Sequence, residues 1–205
     1  MKERPILFSA PMVRAILDGQ KTRTRRVIKN QRLGSGYQKS FSAYEVEKNS
    51  NGDKAFGFDD EDETWICPYG QPGDRLWVRE TWKGLPAYDD DFEYRADWSA
   101  EEEARYAKVL PWKPSIHMPR RASRITLEIT GIRVELLNTI SNTEILREGI
   151  RSESCNICVH TGGSGCEHCF SIINPFKKLW ESINGPGSWA ENPWVWVIEF
   201  KMVTP

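Results

Sequence analysis

The sequence predicts an α+β fold, strands with short flanking helices, and three observations carry that expectation. Arg75-Leu76-Trp77-Val78-Arg79-Glu80-Thr81-Trp82 and the stretch from Arg124 to Leu136 alternate apolar and polar residues with the period of two of a half-buried strand. Short amphipathic segments with their own start and stop signals, near residues 9–19, 141–149 and 174–185, separate the strands. The run Trp194-Val195-Trp196-Val197-Ile198-Glu199-Phe200-Lys201-Met202-Val203 is apolar on both faces for half its length, as a strand covered on both sides would be. With 205 residues the chain fits one domain, 1–205, carrying polar insertions at about 30–65 and 83–119.

Composition sets limits on function. A hydrophobic fraction of 39% and nine Trp are enough for a core, while a net charge of -1 means that any nucleic-acid site must be a local basic feature. Met1-Lys2-Glu3-Arg4-Pro5 lacks the apolar centre of a signal peptide, and no apolar run reaches membrane-spanning length. The expectation is a cytoplasmic protein with no membrane partner. In that compartment five Cys point to metal binding or free thiols before disulfides.

In order along the chain, Ile6-Leu7-Phe8 is a short strand that stops at Ser9. Ser9 is placed to cap a helix with Pro11 in its first turn, Met12, Val13, Ile16 and Leu17 on one face, and Gly19 as its stop. Thr22 to Ile28, rich in Thr and β-branched residues, opens the next strand and leaves Lys21 in the turn before it. There Lys21 escapes strict alternation, so its amine can swing toward the Thr24 hydroxyl. From Lys29 to Glu63 the pattern dissolves into an excursion from the core that ends in an acidic run. Gly73-Asp74 then turns the chain into the strand that carries Leu76, Val78, Glu80 and Trp82 on one face. Glu80 there is either at a cavity mouth or in a salt bridge with a nearby Arg.

A second polar excursion, Lys83 to Pro119, contains a capping box, Ser99 with Glu102, and hence an exposed helix. In the strand that follows, apolar positions are odd-numbered up to Ile129 and even-numbered from Ile132, a slip at Gly131 that suits a bulge or a sheet corner. Ser141 and Glu144 make another capping box, opening a short helix with Glu148 in its last turn before Gly149. The helix dipole there favours a carboxyl that holds its proton. Asn174-Pro175 opens a helix with Phe176, Leu179, Trp180 and Ile183 on one face, closed by Gly185.

Chemistry concentrates at Gly19-Gln20-Lys21-Thr22-Arg23-Thr24-Arg25-Arg26, where cationic donors and two hydroxyls sit close together. Such a cluster suits an anionic or carbonyl-rich ligand, although a solvated basic edge strand has the same composition. A Thr hydroxyl attacks an amide only with a base nearby, and a Lys of lowered pKa is such a base. Arg23, Arg25 and Arg26 supply positive charge that lowers it, and Arg26 is also suited to orient an acyl oxygen or a phosphate. Among the aromatics, one or two of Trp77, Trp82, Trp180, Trp189, Trp194 and Trp196 are candidates to stack on a base, most being core.

The pairs Cys155-Asn156-Ile157-Cys158 and Cys166-Glu167-His168-Cys169, joined by a Gly-rich spacer, have the spacing of two knuckles that close four thiolates around Zn2+. His160 or His168 is an alternative ligand, and two disulfides or free thiols are the rival state. Four Cys ligands leave no open position, so such a zinc folds the 155–169 loop and does no catalysis. Cys67 remains as a buried apolar residue.

Four pieces together resemble one family: the Gly19-x-Lys21-x-x-Thr24-x-Arg26 cluster after a strand and helix, the Gly73-Asp74 turn into Leu76-Trp77-Val78-Arg79-Glu80, the Glu148-Gly149 helix end, and the Val197-Ile198-Glu199-Phe200 strand. They look like an ASCH domain, of the PUA-like superfamily, and in particular like the larger prophage-encoded ASCH proteins. The resemblance covers the core strands and helices, leaving out both excursions and the cysteine loop. It implies a mixed β-barrel with flanking helices and a cleft associated with RNA or modified nucleosides. Some small ASCH proteins are amidohydrolases acting on N4-acetylcytidine and related N4-acylated cytosines. By that resemblance Lys21 is the base, Thr24 the nucleophile and Glu148 the proton donor, with Glu80 and Glu144 as rivals for the last role. Arg23, Arg26, Arg79, Glu80 and Trp77 are the candidate substrate-binding residues, and no organic cofactor is expected. The expected partner is a modified nucleoside or a single-stranded nucleic acid. A noncatalytic RNA or DNA module and a phage interaction or assembly protein are the alternatives from other classes.

Overall fold

The structure, a computed structural model, describes residues 1–29, 43–46, 54–58, 61–84, 91–106, 111–150 and 172–203. In chain order its elements are β1 (Glu3–Leu7), α1 (Ala10–Leu17), β2 (Arg23–Val27), β3 (Ala43–Val46), β4 (Ala55–Phe58), β5 (Glu61–Ile66), β6 (Arg75–Arg79), β7 (Trp82–Gly84), β8 (Phe92–Tyr94), α2 (Ala100–Tyr106), β9 (Thr126–Leu136), α3 (Asn142–Arg147), α4 (Ile173–Asn184) and β10 (Trp194–Val203). The fold is mixed α+β. A five-stranded mixed sheet has the order β1-β6-β9-β10-β2, beside a three-stranded sheet β3-β4-β5 and a two-stranded pair β7-β8.

The expected barrel is met only at this coarser level, because no closed barrel is found among the described residues and β1 and β2 end the five-strand order. Pro5 gives a local reason for β1 to sit at an edge: it has no N–H to donate, which confines proline to edge strands and strand starts. No helix among the described residues is long and apolar enough to cross a membrane.

The chain divides into two compact units, where the sequence reads as one domain with insertions. The first unit comprises Met1–Gly19, Pro68–Thr130 and Phe200–Pro205. In it β1 and β6 pair in parallel, with Ile6 opposite Val78, and β6 pairs antiparallel with β9, with Leu76 opposite Leu127. Leu76, Val78, Glu80 and Trp82 are all buried and Arg75, Trp77 and Arg79 half-exposed, but the expected single strand ends at Arg79, and Trp82 opens β7 in a separate sheet. In α1, Val13, Ala15 and Ile16 are buried and Gly19 takes φ 70, whereas Leu17 is exposed. The 83–119 stretch is not wholly outside the core. Trp82, Met118 and Ala122 form a buried cluster with Phe92 and Tyr94 against it. Lys83 is buried too, its amine 3.8 Å from the Trp98 ring centre and 2.9 Å from Glu93. The Ser99 capping box at the start of α2 is present in both directions.

The second unit comprises Gln20–Cys67 and Gly131–Glu199. Here β10 pairs antiparallel with β2, with Ile198 opposite Thr24, and Trp194 to Ile198 are buried on both faces. Phe176 and Trp180 of α4 join Leu137, Ile140, Ile145, Ile172, Val195 and Val197 in one apolar cluster, while Ile183 is exposed. The excursion after Lys29 is a correction to the sequence reading, since it supplies β3, β4 and β5. Buried Phe56 of β4 meets Trp196 edge-on, with ring centres 5.4 Å apart. A Cβ at Gly131, at the parity slip in β9, would stand 3.3 Å from Glu199 Oε2 and would push that carboxylate aside by a few tenths of an ångström.

Candidate functional site

In the second unit, three elements bring charged side chains together. β2 carries the basic cluster, β9 carries Arg133 and Glu135, and α3 with its cap carries Glu144 and Glu148. The Ser141 hydroxyl accepts from the Glu144 N–H at 3.3 Å and the Glu144 carboxylate accepts from the Ser141 N–H, so the capping box fixes where α3 starts. Glu148 is its C-cap, and Gly149 leaves the helix with φ 83. The chain there runs alongside the cluster: Thr22 N–H donates to Arg147 O at 2.9 Å, and Lys21 and Glu148 form an isolated antiparallel bridge.

That bridge delivers two side chains to each other. Lys21 has no exposed side-chain surface and Glu148 only 5%, and the Lys21 amine lies 2.8 Å from Glu148 Oε2. The amine also donates to Glu148 O at 2.9 Å and to Arg23 O at 2.8 Å. An ammonium has three donors, so these acceptors match all of them. Burial pushes the Lys21 amine below the ordinary lysine range; the Glu148 charge and hydrogen bond oppose that, while Arg26 and Arg25 add to it. The largest cause is thus loss of water, and the arginine charge invoked from sequence contributes less.

Around this pair two arginines of the basic cluster, together with Arg133, face carboxylates. Arg25, itself buried, donates to Glu148 Oε1 at 3.0 Å, Glu144 Oε2 at 2.9 Å and Glu135 Oε2 at 3.1 Å. Arg23 reaches Glu144 Oε1 at 2.8 Å and Glu199 Oε1 at 2.9 Å. Arg133 donates to Glu135, Glu144 and Glu199. Burial pushes the Glu144 carboxyl up, but Arg25, Arg133, the Ser141 N–H and Arg23 outweigh it and hold the group below the usual carboxylate range.

Thr24 is buried on β2. The period of two puts Thr24 and Arg26 on the strand face opposite Arg23 and Arg25. Of the proposed catalytic residues, Lys21 and Glu148 are in direct contact, while Thr24 lies on the β2 face opposite Arg25, the arginine that reaches Glu148. Arg23 and Arg26 belong to the same unit. Trp77, Arg79 and Glu80 belong to the first unit: Arg79 donates to Ile116 O and lies 5.3 Å from the Trp77 ring centre. Glu80, 1% exposed, takes a two-pronged salt bridge from Arg124 at 3.0 and 3.2 Å, and Arg124 also holds Asp97 at 2.7 Å. Burial raises the Glu80 carboxyl above its usual range against the pull of Arg124. Of the two sequence readings of Glu80, the salt bridge is the one found.

Arg133, Glu135 and Glu199 were not singled out as site residues from sequence, and Arg25 was named only for its charge. Alternation along β2 was the available signal, since it sorts Arg25 with Arg23 on the face that meets the carboxylates. Among the described residues no group of three or more His, Cys, Asp or Glu is arranged to hold a metal ion. Cys155, Cys158, Cys166 and Cys169, with His160 and His168, lie outside the described residues. No family model matches the chain, and no curated protein or solved structure matches it.

Proposed function

We propose that this chain is an ASCH-type, PUA-like protein whose second unit binds a modified nucleoside and hydrolyses the amide of an N4-acylated cytosine or cytidine. The observation that carries the proposal is the contact between the Lys21 amine and Glu148 Oε2, 2.8 Å long, fully buried and made by residues 127 positions apart. Moving one proton across that contact turns an ammonium and a carboxylate into an amine and a carboxylic acid. Those are the base and the acid that amide cleavage needs.

In the proposed sequence the Lys21 amine takes the Thr24 hydroxyl proton as the oxygen attacks the acyl carbon. The C–N4 bond then breaks, with Glu148 giving its proton to N4, and the cytosine leaves. The acyl group remains on Thr24 as an ester, and water hydrolyses it to the carboxylate, restoring the hydroxyl. The first step requires the Lys21 amine to exchange its bond to Arg23 O for one to Thr24. Arg26 is proposed to orient the acyl oxygen. The two Cys pairs, by the chemistry of their donor set, are suited to a structural Zn2+, which metal analysis of the purified protein tests at one ion per chain.

Incubation with N4-acetylcytidine, followed chromatographically, is expected to release cytidine and acetate. Lys21→Met is expected to lower the rate by about 10²- to 10⁴-fold, and Thr24→Ala to abolish it. Unchanged N4-acetylcytidine in the presence of folded protein refutes the catalytic assignment.

The ion-pair network favours a second reading. With each Lys21 proton accepted and Arg23, Arg25 and Arg133 facing carboxylates, the same residues can serve as a rigid noncatalytic binding platform. Saturable binding of the nucleoside without turnover is its expected signature.

A further inference from the structure

The first unit holds a site that the Lys21 chemistry does not touch, where β7 pairs with β8. Lys83 and Glu93 are register partners there, and the Lys83 ammonium stands 2.9 Å from Glu93 Oε2. Two indoles complete the surround: the same ammonium is 3.8 Å from the Trp98 ring centre and 4.7 Å from that of Trp112. The two ring centres are 5.0 Å apart and the planes meet at 81°, so the indoles form two walls of a corner rather than a stack. Two aromatic rings set at nearly a right angle, with a carboxylate beside them, make a box for an ammonium group.

The walls are held by bonds that do not involve the lysine side chain. Glu93 is fixed by the β7–β8 pairing, and Trp98 N–H donates to Arg95 O at 3.3 Å. The backbone beside Trp112 is tied to β7, with Lys113 N–H donating to Trp82 O at 2.8 Å and Trp82 N–H to Lys113 O at 3.3 Å. Lys83 is buried while Trp98, Trp112 and Glu93 are half-exposed, so the walls reach the surface and the occupant sits inside them. That occupant is not the cation best suited to the box. A primary ammonium is compact and strongly hydrated, and it gives up more water on entry than one whose N–H groups are replaced by methyls. Glu93 attracts both by charge. The Trp112 indole N–H is buried and has no acceptor among the described residues, an unmet donor of the kind that a bound molecule satisfies.

We infer that Trp98, Trp112 and Glu93 form a binding site for a quaternary or methylated ammonium group, kept shut by Lys83, whose own ammonium fills the box until such a ligand displaces it. Because the resident cation is tethered, it lowers the apparent affinity by the fraction of molecules in which the box stands open. The assignment goes beyond the amidohydrolase reading and does not depend on it, because each residue in it belongs to the first unit and the readout is binding rather than turnover.

The test is a titration of the full chain with choline at constant ionic strength, followed by NMR of the indole N–H groups. Choline is expected to shift the Trp98 and Trp112 signals, identified by their loss in Trp98→Phe and Trp112→Phe. It is also expected to raise the reactivity of Lys83 toward an amine-modifying reagent, as the displaced ammonium enters water. Lys83→Ala, which empties the box, is expected to bind choline at least about tenfold more tightly than wild type. Trp98→Ala is expected to weaken binding about 2- to 30-fold. A short peptide bearing trimethyllysine carries the same group from a second source, and the tighter of the two ligands names the source. Where Lys83→Ala does not fold, the wild-type titration and the Lys83 reactivity decide. The assignment is overturned by the absence of any shift in wild type, or by an equal shift with the uncharged alcohol in which carbon replaces the choline nitrogen. Choline binding that leaves Lys83 unreactive, that is no tighter in folded Lys83→Ala, or that is indifferent to Trp98→Ala overturns it as well.

Discussion

Each unit buries one glutamate against cations, and the two arrangements differ in which partner keeps contact with water. Glu148 faces Lys21 and Arg25, whose side chains are 0% and 1% exposed, whereas Glu80 faces Arg124, which is 26% exposed and shared with an exposed Asp97. Beside Glu148, burial lowers the Lys21 amine. At the other site burial raises the Glu80 carboxyl against the pull of Arg124, and the hydrogen bonds from Glu80 and Asp97 raise the Arg124 guanidinium against its own burial. A lysine can pass a proton to its buried partner, whereas an arginine keeps its own.

Breaking the fully buried pair gives the largest expected effect. Glu148→Leu leaves Lys21 and Arg25 without their shared carboxylate and should cost about 3–5 kcal/mol in urea unfolding. Adding Lys21→Met should recover part of that loss, and a double variant no more stable than the single one would show that the two groups are not coupled.

Arg124→Leu should cost less, about 1–3 kcal/mol at neutral pH, because it strands one charge, the Glu80 carboxylate, where Glu148→Leu strands two cations. The loss should shrink as pH is lowered, since Glu80 with its raised pKa takes up a proton early. The sign for Glu80 follows from linkage. Its folded pKa lies above the unfolded value of 4.5, so its contribution is fully present below 4.5 and is lost as pH rises through the folded pKa. Wild type should therefore gain on Glu80→Gln as pH falls, and a pH-independent gap between them contradicts the burial of that carboxyl. The smallest effect belongs to Lys201, 62% exposed and 3.1 Å from Glu128: Lys201→Ala should change stability by less than about 0.5 kcal/mol, and by less still at high salt.

These contrasts track how much was legible in the chain beforehand. Local signals carried well: both capping boxes, the Gly19 and Gly185 stops, the buried face Leu76-Val78-Glu80-Trp82 and the doubly buried β10 are each encoded within about a dozen residues. β4 was not legible, because Ala55-Phe56-Gly57-Phe58 is too short to show a period and its anchor, Trp196, lies far along the chain. At the site, the Lys21 and Glu148 motifs are visible in sequence. The neutralising partners are not, since Arg25 meets Glu135 and Glu144 only across 110 and 119 residues. Composition showed a basic cluster; the fold sets carboxylates against Lys21, Arg23 and Arg25.

The separation of Lys21 and Glu148 by 127 positions also bears on how the protein is made. At ordinary rates of translation, Lys21 leaves the ribosome roughly 6–25 s before its carboxylate partner exists. During that interval the amine and the neighbouring guanidiniums of β2 have no acid from α3 or β9 to meet, and the strand must wait in water. The site is therefore a late event in biogenesis, and a nascent chain halted before α3 should expose Lys21 to amine-modifying reagents that the finished protein resists.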